Sequence, residues 1–173
     1  RYSLEYGLHS TYYTFNPGVI QPNEPTSGIN KEELTKKYAF ENAVYVDIKQ
    51  QINDKLSLSY GARLSSFLRL GQDELNTYDN DIAVAFNPNL QIYESVEPNG
   101  SIKTSSGSIE KSFLNIEPRI AAAYLLDDDS SVKLSYNRMA QYLHLLSNTT
   151  APTPLDVWAP SGKYIKPQLL DQL

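Results

Sequence analysis

The sequence predicts an all-β fold, an antiparallel sheet of long strands with one wet and one dry face, as in a segment of a transmembrane β-barrel. Three observations carry this. Apolar and aromatic residues recur at every second position in five runs, the period of a strand rather than of a helix. The runs extend over about 12 to 16 residues, against a mean near 5 to 6 in soluble domains. The connections alternate between short turns and long polar stretches, the layout of a barrel with tight periplasmic turns and large outer loops.

The first run sets Tyr2, Leu4, Tyr6 and Leu8 against Ser3, Glu5, Gly7 and His9. The second places Tyr38, Phe40, Val44, Val46, Ile48 and Ile52 on the even face and Glu41, Ala43, Tyr45, Asp47, Lys49 and Gln51 on the odd face. The third continues that parity, with Leu56, Leu58, Tyr60, Ala62 and Leu64 opposed to Ser57, Ser59, Gly61, Arg63 and Ser65. Cross-strand neighbours share a face, so two even greasy faces demand an odd-numbered turn, and Asn53-Asp54-Lys55 supplies one. That register sets Ile52 opposite Leu56, Tyr45 opposite Arg63 and Asp47 opposite Gly61.

The fourth run sets Leu114, Ile116, Ile120, Ala122 and Tyr124 against Asn115, Glu117, Arg119, Ala121 and Ala123. Pro118 cannot donate to a ladder, and a bulge is expected there. An Asp127-Asp128-Asp129-Ser130 turn leads to the fifth run, Val132, Leu134 and Tyr136 against Lys133, Ser135 and Asn137. Its phase then fails, because Arg138 falls on the apolar side and Met139, Leu143 and Leu145 on the other, so a second bulge is expected. Residues 15–35, 71–111 and 146–163 are loops by composition, with a short strand possible at Ile82-Phe86. The alternation is already running at Arg1 and another begins near Leu173, the pattern of an excised piece.

Composition narrows the function. With 15 basic and 20 acidic side chains the net charge is −5, which provides no field for gathering phosphates, and no nucleic-acid partner is expected. Cysteine is absent, so there is no thiol chemistry. Mean hydropathy is −0.43 and no apolar run approaches the roughly 18 residues of a membrane helix.

The stretch Asn137-Arg138-Met139-Ala140-Gln141-Tyr142-Leu143-His144-Leu145-Leu146-Ser147-Asn148-Thr149 carries a resemblance. So do Pro152-Thr153-Pro154-Leu155-Asp156-Val157-Trp158-Ala159-Pro160-Ser161, Lys166-Pro167-Gln168 and Asp171-Gln172. Together these segments resemble the barrel of TonB-dependent outer-membrane receptors of the Bacteroidetes type. Glu41-Asn42-Ala43-Val44-Tyr45, Tyr60-Gly61-Ala62-Arg63 and Glu117-Pro118-Arg119 are similar to recurring strand segments of that family. The resemblance implies five to six strands of a 22-stranded barrel in a Gram-negative outer membrane, closed by an N-terminal plug. It implies active uptake of a scarce solute such as an iron complex, an oligosaccharide or a peptide. The implied partners are the TonB-ExbB-ExbD energy-coupling complex, reached through a missing N-terminal part, the plug, the remaining strands and outer-membrane lipid.

Wet-face residues Glu41, Tyr45, Asp47, Arg63, Glu117 and Arg119 are then candidates to face the lumen and plug, with Arg63 and Arg119 favoured because a guanidinium forks onto carboxylates. Trp158 and Tyr142 are candidates for solute contact from an outer loop. No catalytic residue, metal site or cofactor is expected. His9 and His144 lack metal-ligand spacing, the Asp127 cluster lacks the rest of a calcium loop, and Ser161-Gly162-Lys163 has no strand-to-helix context for phosphate. The alternative is a soluble β-sandwich acting as a ligand-binding or adhesion module, whose dry face packs on a second sheet.

Overall fold

The computed structural model describes residues 1–16, 19–20, 24, 32–33, 35–71, 73–146 and 157–173. Most of the 15–35 connection, including Pro17, Pro22, Pro25 and Gly28, lies outside the described residues, as do residues 147–156 with Pro152 and Pro154.

The described strands in chain order are β1 (Tyr2–Phe15), β2 (Val19–Ile20), β3 (Glu32–Glu33), β4 (Lys37–Gln51), β5 (Leu56–Leu70), β6 (Asp73–Thr77) and β7 (Val84–Asn87). They continue as β8 (Ile92–Ser95), β9 (Gly100–Thr104), β10 (Ile109–Leu125), β11 (Ser131–Gln141), β12 (Leu143–Leu146), β13 (Val157–Pro160) and β14 (Gln168–Gln172). The fold is all-β and antiparallel. Its main sheet has six strands in the order β1-β4-β5-β10-β11-β14, and four small hairpins account for the rest.

The β4–β5 register is the one that turn parity demands. Tyr45 lies opposite Arg63 and Asp47 opposite Gly61. The Ile52 N–H donates to the Leu56 carbonyl at 2.9 Å, while Asn53 Oδ1 accepts from the backbone N–H groups of Lys55 and Leu56 at 2.9 and 2.8 Å. This side-chain-to-backbone pattern fixes a tight turn. The second turn closes in the same way, with the Leu126 N–H donating to Ser130 at 3.0 Å and the Asp129 N–H to Asp127 Oδ1 at 3.0 Å. The Leu125 N–H also donates to the Lys55 carbonyl at 2.9 Å, so the two turns sit side by side at one end of the sheet.

Three expectations need correction. The 71–111 segment is a ribbon rather than a polar loop: β6 pairs with β9 and β7 with β8, the latter close to the short strand expected at Ile82-Phe86. Such a ribbon has water on both sides and so lacks the alternation that betrays a half-buried strand. The bulge expected at Pro118 is absent on the β5 side, where Pro118 pairs in register with Ala62 and the shift falls instead between Ile109 and Lys111. The β10–β11 ladder, however, ends at Arg119 and Asn137, next to the residue that has no N–H to give. Finally, Trp158 stands in a strand, β13, paired with β12, and not in an irregular loop.

The second expected bulge does not show in the β11–β14 ladder, which runs from Asn137 to Gln141 opposite Gln172 to Gln168 without a shift. Tyr136 is aligned with Ile120 on the apolar side, and Ala140, near the end of β11, packs against the cluster of Ala39, Phe67 and Tyr142. Past Gln141 the chain leaves the main sheet and β12 pairs with β13.

The even face carries rows of apolar residues across the strands: Leu8, Val44, Leu64 and Ile116; Tyr6, Val46, Ala62 and Pro118; Leu4, Ile48, Tyr60, Ile120 and Tyr136. Much of it is open, with Leu8 84%, Leu134 71% and Leu114 68% exposed. Among the described residues, the main contacts of the six long strands are with their ladder neighbours, and none of the small hairpins lays a second sheet on this face.

Candidate functional site on the polar face

The odd face carries the charges, and its register brings most of them together. One row runs Gly7, Tyr45, Arg63, Glu117 across four strands, and the row nearer the turns runs Glu5, Asp47, Gly61, Arg119. In both rows glycine makes space for a large neighbour. A Cβ at Gly7 would lie 2.7 Å from the Tyr45 hydroxyl, and one at Gly61 would collide with Asp47 and the Val46 carbonyl. Asp47 therefore passes over Gly61 to meet Arg119 at 3.6 Å.

Arg63 is the hub. Its guanidinium lies 3.2 Å from Glu41 and 3.8 Å from Glu117, and Tyr13 donates its hydroxyl to Glu41 at 3.0 Å. Glu117 is buried and accepts a hydrogen bond from the hydroxyl of Ser65, itself fully buried. A buried carboxylate with a half-buried one nearby is costly unless a cation lies between them, and Arg63 provides it.

Tyr142, expected to reach solute from an outer loop, lies instead against this wall. It is 4% exposed, stacks on Phe67 with ring centroids 4.8 Å apart and planes 4° from parallel, and bonds through its hydroxyl to Ser65 (2.7 Å) and Asn115 (2.8 Å). Ser65, Phe67 and Asn115 were not singled out by sequence. They face the same side as Arg63 by strand period alone, but only the return of the chain at Tyr142, more than 70 residues after Ser65, makes them a site. Trp158 is 56% exposed and aligned with Leu145.

The segment after β13 continues across the sheet. The Ser161 N–H donates to the Tyr142 carbonyl at 2.7 Å, His144 Nε2 lies 3.0 Å from the Ser161 hydroxyl, and Gly162 sits against Arg69 and Glu110. Lys163 then meets Asp81 at 2.7 Å, and Tyr164 donates to the Asn76 carbonyl at 2.8 Å while packing edge-on against Tyr78. The hydrogen bond to Asp81 holds the Lys163 ammonium above the ordinary lysine range, so this tie to the β6–β9 ribbon persists into alkali.

Near the turns the odd face is lined by small residues, Ser57 and Ser59 on β5 and Ala121 and Ala123 on β10, flanked by Lys49 and Lys133. They leave an open trough of about 580 Å³. Among the described residues no group of three or more His, Asp or Glu side chains is arranged to hold a metal. His9 bonds Thr11 at 2.8 Å and His144 bonds Ser161, so each histidine has a local hydroxyl partner.

No protein-family model, curated protein or solved structure matches this chain. Its geometry therefore carries the functional argument. No helix among the described residues is long and apolar enough to cross a membrane, a statement that leaves strands untouched.

Proposed function

We propose that this chain is a wall segment of an outer-membrane β-barrel of the TonB-dependent receptor type, working in active uptake of a scarce solute such as an iron complex, an oligosaccharide or a peptide. The observation that carries the reading is the even face, a continuous apolar surface on strands of 14 to 17 residues in the four longest cases, uncovered while the charges gather on the opposite side. Water does not favour so large a bare patch, whereas lipid does.

The dimensions support it. From Val44 to the turn at Ile52 the apolar belt runs for roughly nine residues, close to the 9 to 11 that a tilted strand needs to cross the hydrocarbon. On β1, β4 and β5 the belt is bounded toward the far end by Ser10, Asn42 and Ser66, where the Ser10 hydroxyl donates to Asn42 at 2.9 Å, while on β10 the same row carries Leu114. Beyond that row Tyr12 lies against Tyr38 and Phe40, with ring centroids 6.2 and 6.5 Å apart, the placement of an interfacial aromatic girdle. A β-sandwich would require a second sheet on the belt.

Six strands do not close a bacterial barrel, which begins at about 8. The exposed edges of β1 and β14 are where neighbouring strands would pair, and the odd face is where a plug would sit, with Arg63 and Arg119 toward it. The TonB-ExbB-ExbD complex would act on that plug and not on the strands described here. The test is protease treatment of intact cells displaying the full-length receptor. Cleavage within the 73–104 ribbon, with the Asn53 and Asp127 turns protected until the outer membrane is opened, is the expected result. Cleavage at the turns in intact cells would overturn the reading.

A further inference from the structure

The hydroxyl of Tyr142 has a determined set of partners. The Ser65 hydroxyl donates to the Glu117 carboxylate, beside which the Arg63 guanidinium lies. The Ser65 oxygen is then the acceptor for Tyr142, whose own oxygen accepts from Asn115 Nδ2. Each hydroxyl between Glu117 and Asn115 thus has both a donor and an acceptor role assigned, and Phe67 closes the ring's flat side. Such a pocket accepts a phenol and rejects most other side chains.

We propose that this cluster is a socket, that Tyr142 is the latch seated in it, and that together they hold residues 157–165 as a strap across the polar face. The strap leaves the latch through the Ser161 N–H to the Tyr142 carbonyl, is pressed to the wall at Ala159, Pro160, Ser161 and Gly162, all buried, and is tied to the ribbon by Lys163 and Tyr164. Hence Glu117 and Ser65, which a bare wall would offer to solute, are occupied by the chain itself. On the receptor reading, on which this consequence rests, the strap narrows the lumen at that level and solute meets the strap's outer side.

Tyr142 is a positioning residue, and the test must separate loss of position from loss of fold. Purified full-length protein carrying Ala159→Cys as its one reactive cysteine is labelled with a bulky maleimide in detergent, so the outcome does not depend on whether the protein resides in a membrane. Trp158→Cys serves as the open reference. The latch predicts that A159C labels at least 10-fold more slowly than W158C. It predicts that Tyr142→Ala brings A159C close to the W158C rate, and that Tyr142→Phe, which keeps the ring and loses both hydroxyl bonds, is intermediate. Retained β-sheet circular dichroism and an unchanged unfolding midpoint show that the sheet is intact. Should Y142A fail that check, Y142F and Asn115→Ala carry the test. Rapid labelling of A159C in the parent, or slow labelling unchanged by Y142F and N115A, would overturn the latch.

Discussion

Asp47 meets Arg119 across Gly61, two strands apart, because the strand between them presents no side chain at that level. Paired strands usually bring adjacent residues together, and here the missing Cβ lets a carboxylate skip one. Glycine at this position is thus part of an ion pair to which it contributes no atom.

The consequence separates two glycines that look alike. A methyl at Gly61 would strike backbone, the Val46 carbonyl and the Asp47 Cα, whereas at Gly7 it would strike only the outer end of the Tyr45 ring, which swings aside. Gly61→Ala is expected to cost about 1–3 kcal/mol, and Gly7→Ala well under half of that. Urea unfolding midpoints of the two variants in the same detergent check the difference.

A positive charge on the lipid side of a barrel costs about 2–4 kcal/mol near the midplane and little on the lumen side. On the proposed reading, Val46→Arg and Leu58→Arg deplete the folded receptor in a heat-modifiability gel, while Ser59→Arg, on the opposite face, leaves it near the parental level.

The Asp127 carboxyl is held below the usual carboxylate range, first by the backbone N–H of Asp129 and then by Ser130. Its folded pKa is lower than its unfolded value near 3.9, so its contribution to stability is present above that value and is lost as pH falls through the folded pKa. Asp127→Asn should therefore lower the unfolding midpoint at neutral pH, and its curve should meet that of the parent in acid. Midpoints measured between about pH 2 and 7 check this.

Asn53 caps the other turn with one oxygen that accepts two backbone N–H groups. Asn53→Ala leaves both to water and is expected to cost about 1 kcal/mol. Slower refolding with an unchanged final β-sheet signal would accompany it, since the turn brings β4 and β5 together.

These elements also show what a sequence reveals of such a fold. The β4–β5 register was legible to the residue, because strand period and an odd turn leave one solution, and Tyr45 opposite Arg63 is that solution. Polar ribbons were not. β6 and β9 carry mainly polar residues, with Leu75 opposite Ile102 as their one apolar pair, and without a dry face the period of two has nothing to mark. The short β14 carries two adjacent leucines, Leu169 and Leu170, and so hides its alternation as well.

The site was legible in part. Arg63, Glu41 and Glu117 share a face by parity, and the structure brings them together as that parity requires. Tyr142 was not placed, because past Gln141 the chain leaves the main sheet, and strand parity no longer tells on which side a side chain lies. The clue was the loss of phase after Asn137, with Arg138 on the greasy side and Met139, Leu143 and Leu145 on the other.

On the proposed reading the even face meets lipid. The most direct measurement places a fluorophore on single cysteines at Ile48 and Leu58 on the even face, and at Lys49 and Ser59 on the odd face, of the full-length protein in bilayers of brominated-acyl lipid. Strong quenching is expected at Ile48 and Leu58 and little at Lys49 and Ser59. Equal quenching at all four sites, or none at the even pair, would contradict it.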